Sequence, residues 1–152
     1  MPQRDSAIVL RPVRRPDDYP RLIKIWRSAV CATHDFLEES DFHRIESNLA
    51  STYFPAVTLT VAERDGESVG FAGTADGNLE MLFVSDQVRG SGIGSLLLAE
   101  TIEKDGVTKV DVNEQNSGAH GFYLSRGFTQ VSRSELDGDG RPYPILHLAL
   151  QA

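Results

Sequence analysis

The sequence predicts an α/β (mixed α+β) fold around a central, mostly antiparallel twisted sheet. Three observations carry that reading. Apolar runs of strand length, separated by Asp-Gly pairs, occur both early and late in the chain. Between and before them lie stretches with apolar residues at helical spacing. The 152 residues, 40% hydrophobic and 24% charged, suit one domain with its own core, read here as residues 1–152.

Each element follows in order. Residues 7–14, AIVLRPVR, read as a first strand ended by Pro16. Residues 17–37 place Leu22, Ile25, Trp26 and Ala29 on one helical stripe, with Trp26 in the core. Residues 39–52 read as a second, shorter helix. Strands at 56–64 and 67–75 are joined at Asp65-Gly66, a hairpin dipeptide, and a further strand covers 77–85. A helix over 95–106, a strand over 107–112 and a helix over 116–127 follow, with Asn116 as N-cap of the last. Strands at 128–136 and 141–150 flank DGDG (137–140), read as a second hairpin turn. The order is β-α-α-β-β-β-α-β-α-β-β.

Bulk properties exclude several classes. A formal net charge of -7 argues against general nucleic-acid binding and suits a cationic or amine-bearing partner. No run approaches the ~20 apolar residues of a membrane span. The first twenty residues carry neither an apolar core nor a small-residue cleavage site, so a cytoplasmic protein is expected. Cys31 is the single cysteine, which excludes an internal disulfide, and it is expected to be buried and unreactive. His34, His43, His120 and His147 show no metal-ligand spacing, and LDGDGR lacks the remaining calcium-loop ligands, so no metal is expected.

The stretch SDQVRGSGIGSLLLAE (85–100) is the most informative in the chain. Gly90, Gly92 and Gly94 lie between a strand and a leucine-rich helix, where bare backbone lets an anion reach the unpaired N–H groups of the first helical turn. Arg89 adds a cation. The nucleoside-triphosphate loop pattern fails because Ser95 and Leu96, not a lysine, follow Gly94. The dinucleotide pattern fails because its third glycine is replaced by Ser95 or Leu97.

QVRGSG (87–92) does fit the Q/R-x-x-G-x-G/A motif of the GNAT superfamily of N-acetyltransferases. NEQNSGAHGFYLSRGF (113–128) is similar to a second family segment through Asn116, Ala119, Tyr123, Gly127 and Phe128. With ATHDFL (32–37) and GRPYPIL (140–146), the chain resembles small bacterial acetyltransferases of that family over nearly its full length. The resemblance implies a sheet split into a V-shaped cleft with about four flanking helices. It implies acetyl-CoA held by Leu82, Phe83 and Val84, by the backbone of Arg89, Gly90, Ser91, Gly92, Ile93, Gly94 and Ser95, and by Asn113 and Asn116. An N–H near Leu82 would bind the thioester oxygen, and Tyr123 would be the general acid toward the leaving thiolate.

A lysine-like amine is mostly protonated at neutral pH and needs a base. Period-2 geometry puts Glu80 on one face with Leu82, which makes it a candidate; His34 and water are its rivals. His34, Phe36 and Tyr143 are the candidate acceptor contacts. The acceptor is an amine-bearing molecule whose identity the side chains leave open, and the resemblance allows a homodimer. A non-catalytic acyl-CoA sensor is the alternative to an enzyme.

Overall fold

The structure is a computed structural model that describes residues 7–33, 37–88 and 90–150. The elements are β1 (Ile8–Pro12), α1 (Tyr19–Thr33), α2 (Glu39–Asn48), β2 (Thr58–Arg64), β3 (Glu67–Ala75), β4 (Asn78–Val84), α3 (Ile93–Asp105), β5 (Lys109–Asn113), α4 (Ser117–Ser125), β6 (Phe128–Ser134) and β7 (Ile145–Leu150). The order expected from the sequence holds. Their sheet runs β1-β2-β3-β4-β5-β7-β6, antiparallel everywhere except between β4 and β5.

Tight Asp-Gly turns build the antiparallel half. Asp65 and Gly66 take φ of 55° and 79°, and Asp76 and Gly77 take 51° and 81°. Two successive left-handed residues match the twist of the flanking strands. The strand expected from Gly77 begins at Asn78, because Gly77 belongs to the second of these turns.

The sheet is buried on both faces over its centre. Leu22, Ile25, Trp26 and Val30 of α1 pack with Leu59, Val61 and Phe71 on one side. Ile93, Leu97 and Leu98 of α3 pack with Ala72, Leu79, Val110 and Leu148 on the other. A Cβ at Gly70 would stand 3.1 Å from the Phe83 carbonyl oxygen and 3.2 Å from the Ile93 side chain, so α3 lies tight against β3. That contact sets the start of α3 beside the end of β4.

Three expectations need correction. The helix read over 39–52 ends at Asn48, and a π-helical turn (Leu49–Tyr53) and a 3-10 turn (Phe54–Ala56) follow, burying Leu49 and Phe54. Cys31 is exposed, because the buried stripe of α1 runs through Leu22, Ile25, Trp26, Ala29 and Val30 on its other side. The strands read over 128–136 and 141–150 stop at Ser134 and resume at Ile145, so DGDG belongs to a longer loop. Within it Asp137 Oδ1 accepts from the N–H groups of Asp139 and Arg141, both at 2.9 Å, which closes the loop on itself instead of on the strands.

Candidate active site

β4 and β5 are paired only at Asn78–Lys109 and Leu79–Val110. Beyond those positions the strands part, and the ends of β4 and β5 become the two sides of an opening. Four neighbouring spaces with shared lining residues surround it.

At the outer end, Gly90 and Gly92 take φ of 83° and 87°, a region closed to most side chains, and no atom lies within 4 Å of where their Cβ would stand. Gly92 is the N-cap of α3 and no side chain caps that helix. The N–H groups of its first turn therefore remain as donors at the positive end of the helix dipole. They border a space of about 370 Å³ lined by Val84, Val88, Gly90, Gly92, Ile93, Gly94, Ser95, Phe122 and Arg126. Ser91 turns away, its hydroxyl donating to the Val88 carbonyl. Arg89 lies outside the described residues. The cation that the structure does place here is Arg126, which donates to Ser95 Oγ and stacks 4.9 Å from the Phe122 ring. Sequence reading missed it; its signal is the i,i+4 spacing of Phe122 and Arg126 at the end of α4.

Inward from the glycines lies a cleft of about 320 Å³ between β4 and α4, lined by Leu82, Phe83, Val84, Gly94, Asn116, Phe122 and Tyr123 among others. Asn116 caps α4 by accepting from the Ala119 N–H at 3.1 Å. Tyr123 is 7% exposed and meets Phe122 and Phe128 edge-on, with ring centroids 5.2 and 5.7 Å away. Burial pushes its phenol pKa above the ordinary value, so it stays protonated throughout the neutral range.

Glu80 is not where period-2 geometry put it. Met81 pairs with Gly73 and Leu79 with Thr74, which leaves Glu80 as the extra residue of a β-bulge. Parity reverses there. Leu79, Leu82 and Val84 pack with the α3 cluster, while Met81 and Phe83 pack with the α1 cluster. Glu80 accordingly borders the same cavity as Met81 and Phe83, across the sheet from the cluster that holds Leu82. Burial, and then the charge of Asp111, raise its carboxyl pKa. Asp111 follows the last position at which β5 pairs with β4; its carboxylate contacts His147 Nδ1 at 2.7 Å, and His147 Nε2 meets Ser134 Oγ at 2.7 Å. Glu80, Asp111, Asn113, Asn116 and Tyr123 all border a small gap of about 110 Å³ at the fork between the strands.

On the far side of that gap is a cavity of about 290 Å³. It is lined by apolar Trp26, Val30, Ile45, Leu49 and Phe83, with Asn113 and Tyr143 in its wall together with the acids Glu80, Asp137 and Asp139, of which Glu80 and Asp139 are exposed. Asn113, expected beside Asn116, lies at this cavity and the gap; its Oδ1 is buried without a hydrogen-bond partner. Tyr143 is 6% exposed, and its hydroxyl donates to Asp41 Oδ2 at 2.5 Å. Asp41, absent from the sequence reading, is buried at 2% exposure, and the Tyr143 hydroxyl leads the contacts that hold its carboxyl below the usual range. His34 and Phe36 lie outside the described residues. Among the described residues no group of three His, Cys, Asp or Glu side chains could hold a metal ion, and no helix is long and apolar enough to cross a membrane.

Known proteins share this architecture. The peptidyl-lysine N-acetyltransferase YjaB of Salmonella typhimurium is 42% identical over 136 residues, 88% of this chain and 92% of that protein. Its Escherichia coli counterpart is 38% identical over 137 residues, 89% and 92% respectively. The solution structure of apo-form YjaB from Escherichia coli superposes with a TM-score of 0.86 at 36% identity, over 94% of this chain and 97% of that one. A PaiA N-acetyltransferase from Thermoplasma acidophilum, solved in complex with coenzyme A, shares the fold at a TM-score of 0.74 and 19% identity, over 95% and 99%. Residues 30–143 match the Acetyltransferase (GNAT) domain family. By sequence and by fold, then, this chain belongs to the GNAT acetyltransferases and is an enzyme that transfers an acetyl group to an amine.

Proposed function

We propose that the chain acetylates the side-chain amine of lysine residues, with acetyl-CoA held between β4 and α4. The observation that carries this reading is the small gap at the strand fork. There Glu80 and Tyr123 border one space that adjoins the glycine-lined cleft on one side and the acid-rimmed cavity on the other. An apolar floor with carboxylates at its mouth suits a straight hydrocarbon stem ending in a cation. The names of the YjaB relatives favour the same acceptor. A sensor without turnover gives way to the enzyme on the strength of those relatives.

The residues present fit the coenzyme. The open space at Gly90 and Gly92, the free amides at the start of α3 and the Arg126 guanidinium suit a diphosphate. At Gly94 a Cβ would reach ordinary contact with Phe122 and Val84, both at 3.9 Å, so any larger side chain would project into the cleft. Acetyl-CoA supplies the acetyl group as a thioester. Leu82 and Val84 border its cleft with main chain that an amide-bearing arm could pair with. Glu80 takes a proton from the acceptor ammonium, directly or through water, and so frees the nitrogen lone pair for attack. Tyr123 gives its proton to the departing sulfur as the C–S bond breaks, and the second proton shed by the acylated nitrogen restores the phenol. No metal is assigned a role.

Incubation with acetyl-CoA and a short lysine-containing peptide is expected to release free thiol and add one acetyl group per modified lysine, read by mass spectrometry. Thiol release with no modified peptide, while small amines are acetylated, would move the acceptor to another amine class.

A pH test follows from Glu80. Its raised pKa moves the acid limb of the kcat/KM profile upward from where an unperturbed glutamate would put it, since the base works only when ionised. Asp111→Asn removes a like charge, lowers the Glu80 pKa and is expected to shift that limb to lower pH. An unmoved limb would assign it to another group, His34 included.

A further inference from the structure

Tyr143 stands in the segment 135–144 between two prolines, Pro142 and Pro144, which fix the backbone on either side of it. Its ring forms part of the cavity wall, yet its hydroxyl is committed elsewhere: it donates to Asp41 and accepts from the Glu38 N–H at 3.1 Å. From this we infer that Asp41 is a positioning residue for the acceptor. Through Tyr143 it fixes the 135–144 wall against α2 and so sets which amines the cavity admits. The inference rests on reading that cavity as the acceptor site.

The geometry is that of a strut. Asp41 sits in the first turn of α2, and its carboxylate also meets Arg141 Nε at 3.2 Å and Arg44 Nη2 at 3.6 Å. Arg44 reaches on to Asp139 at 2.9 Å, so α2 grips the loop at three points. Burying a carboxylate is costly unless donors surround it. Apolar packing could hold a loop at lower cost. What a carboxylate with a short hydroxyl bond adds is a single allowed geometry, because that bond weakens steeply when misaligned. The wall it fixes carries Asp137 and Asp139, the acids at the cavity mouth.

The test compares wild type, Tyr143→Phe and Asp41→Asn with a short lysine-containing peptide and acetyl-CoA. Tyr143→Phe keeps the ring and deletes one oxygen, so it reads the strut even if Asp41→Asn fails to fold. The peptide KM is expected to rise about tenfold, the loss of one bond to a charged group, with the acetyl-CoA KM within about twofold of wild type. Amide exchange should quicken at residues 138–141 and stay unchanged in α3. Equal rises in both KM values, an unchanged peptide KM, or unaltered exchange in the loop would overturn the proposal. A wild-type enzyme inactive on the peptide but active on other amines would instead remove the reading beneath it, a failure visible before any variant is made.

Discussion

Tyr123→Phe is expected to lower kcat by about 10²-fold or more, the scale of a lost general acid, while acetyl-CoA binds as before. The reason lies in burial. Desolvation keeps the phenol protonated near neutrality, and the same dry surroundings raise the basicity of a thiolate formed beside it, so proton transfer from the phenol does not run far uphill. Phenylalanine preserves the edge-on contacts with Phe122 and Phe128, so the helix keeps its seat and the change is confined to one hydroxyl. Thermal unfolding and coenzyme titration check those two conditions. Unchanged turnover in a folded, coenzyme-binding variant would leave Tyr123 as a packing residue only.

Gly94→Val should have the opposite signature. Acetyl-CoA affinity is expected to fall about 100-fold, consistent with losing one or two charge-assisted bonds to main-chain donors, with little loss of stability. Gly94 lies within α3, outside the left-handed region, and its added Cβ meets nothing closer than 3.9 Å. It also borders both the cleft and the glycine-turn space, so a branched side chain there obstructs the junction between them. Gly92→Val is the contrasting control: at φ 87° it strains the backbone and should cost stability as well. If isothermal titration finds Gly94→Val binding acetyl-CoA like wild type, the coenzyme does not pass that point.

The parts of this enzyme that were legible in its sequence are those fixed by neighbours along the chain. The Asp65-Gly66 hairpin, the glycine turn and the Asn116 cap each depend on a few consecutive residues. What stayed hidden depends on pairings across the chain. Arg126 reaches Ser95 over 31 positions and Tyr143 reaches Asp41 over 102. The Glu80 bulge is set by the register of β3 against β4, which no alternation within β4 reveals. The DGDG turn misled because its dipeptides signal a hairpin, whereas Asp137 uses its side chain to hold a wider loop.

The single inserted residue in β4 also divides the strand's side chains between two surfaces. It turns Met81 toward the α1 cluster and Leu82 and Val84 toward the α3 cluster, so under the proposed function the acceptor and the coenzyme would meet opposite surfaces of one strand, with Phe83 bordering both spaces. On that reading, exchanges around Trp26, Ile45 and Tyr143 would change what is modified and leave the thioester side of the strand in place.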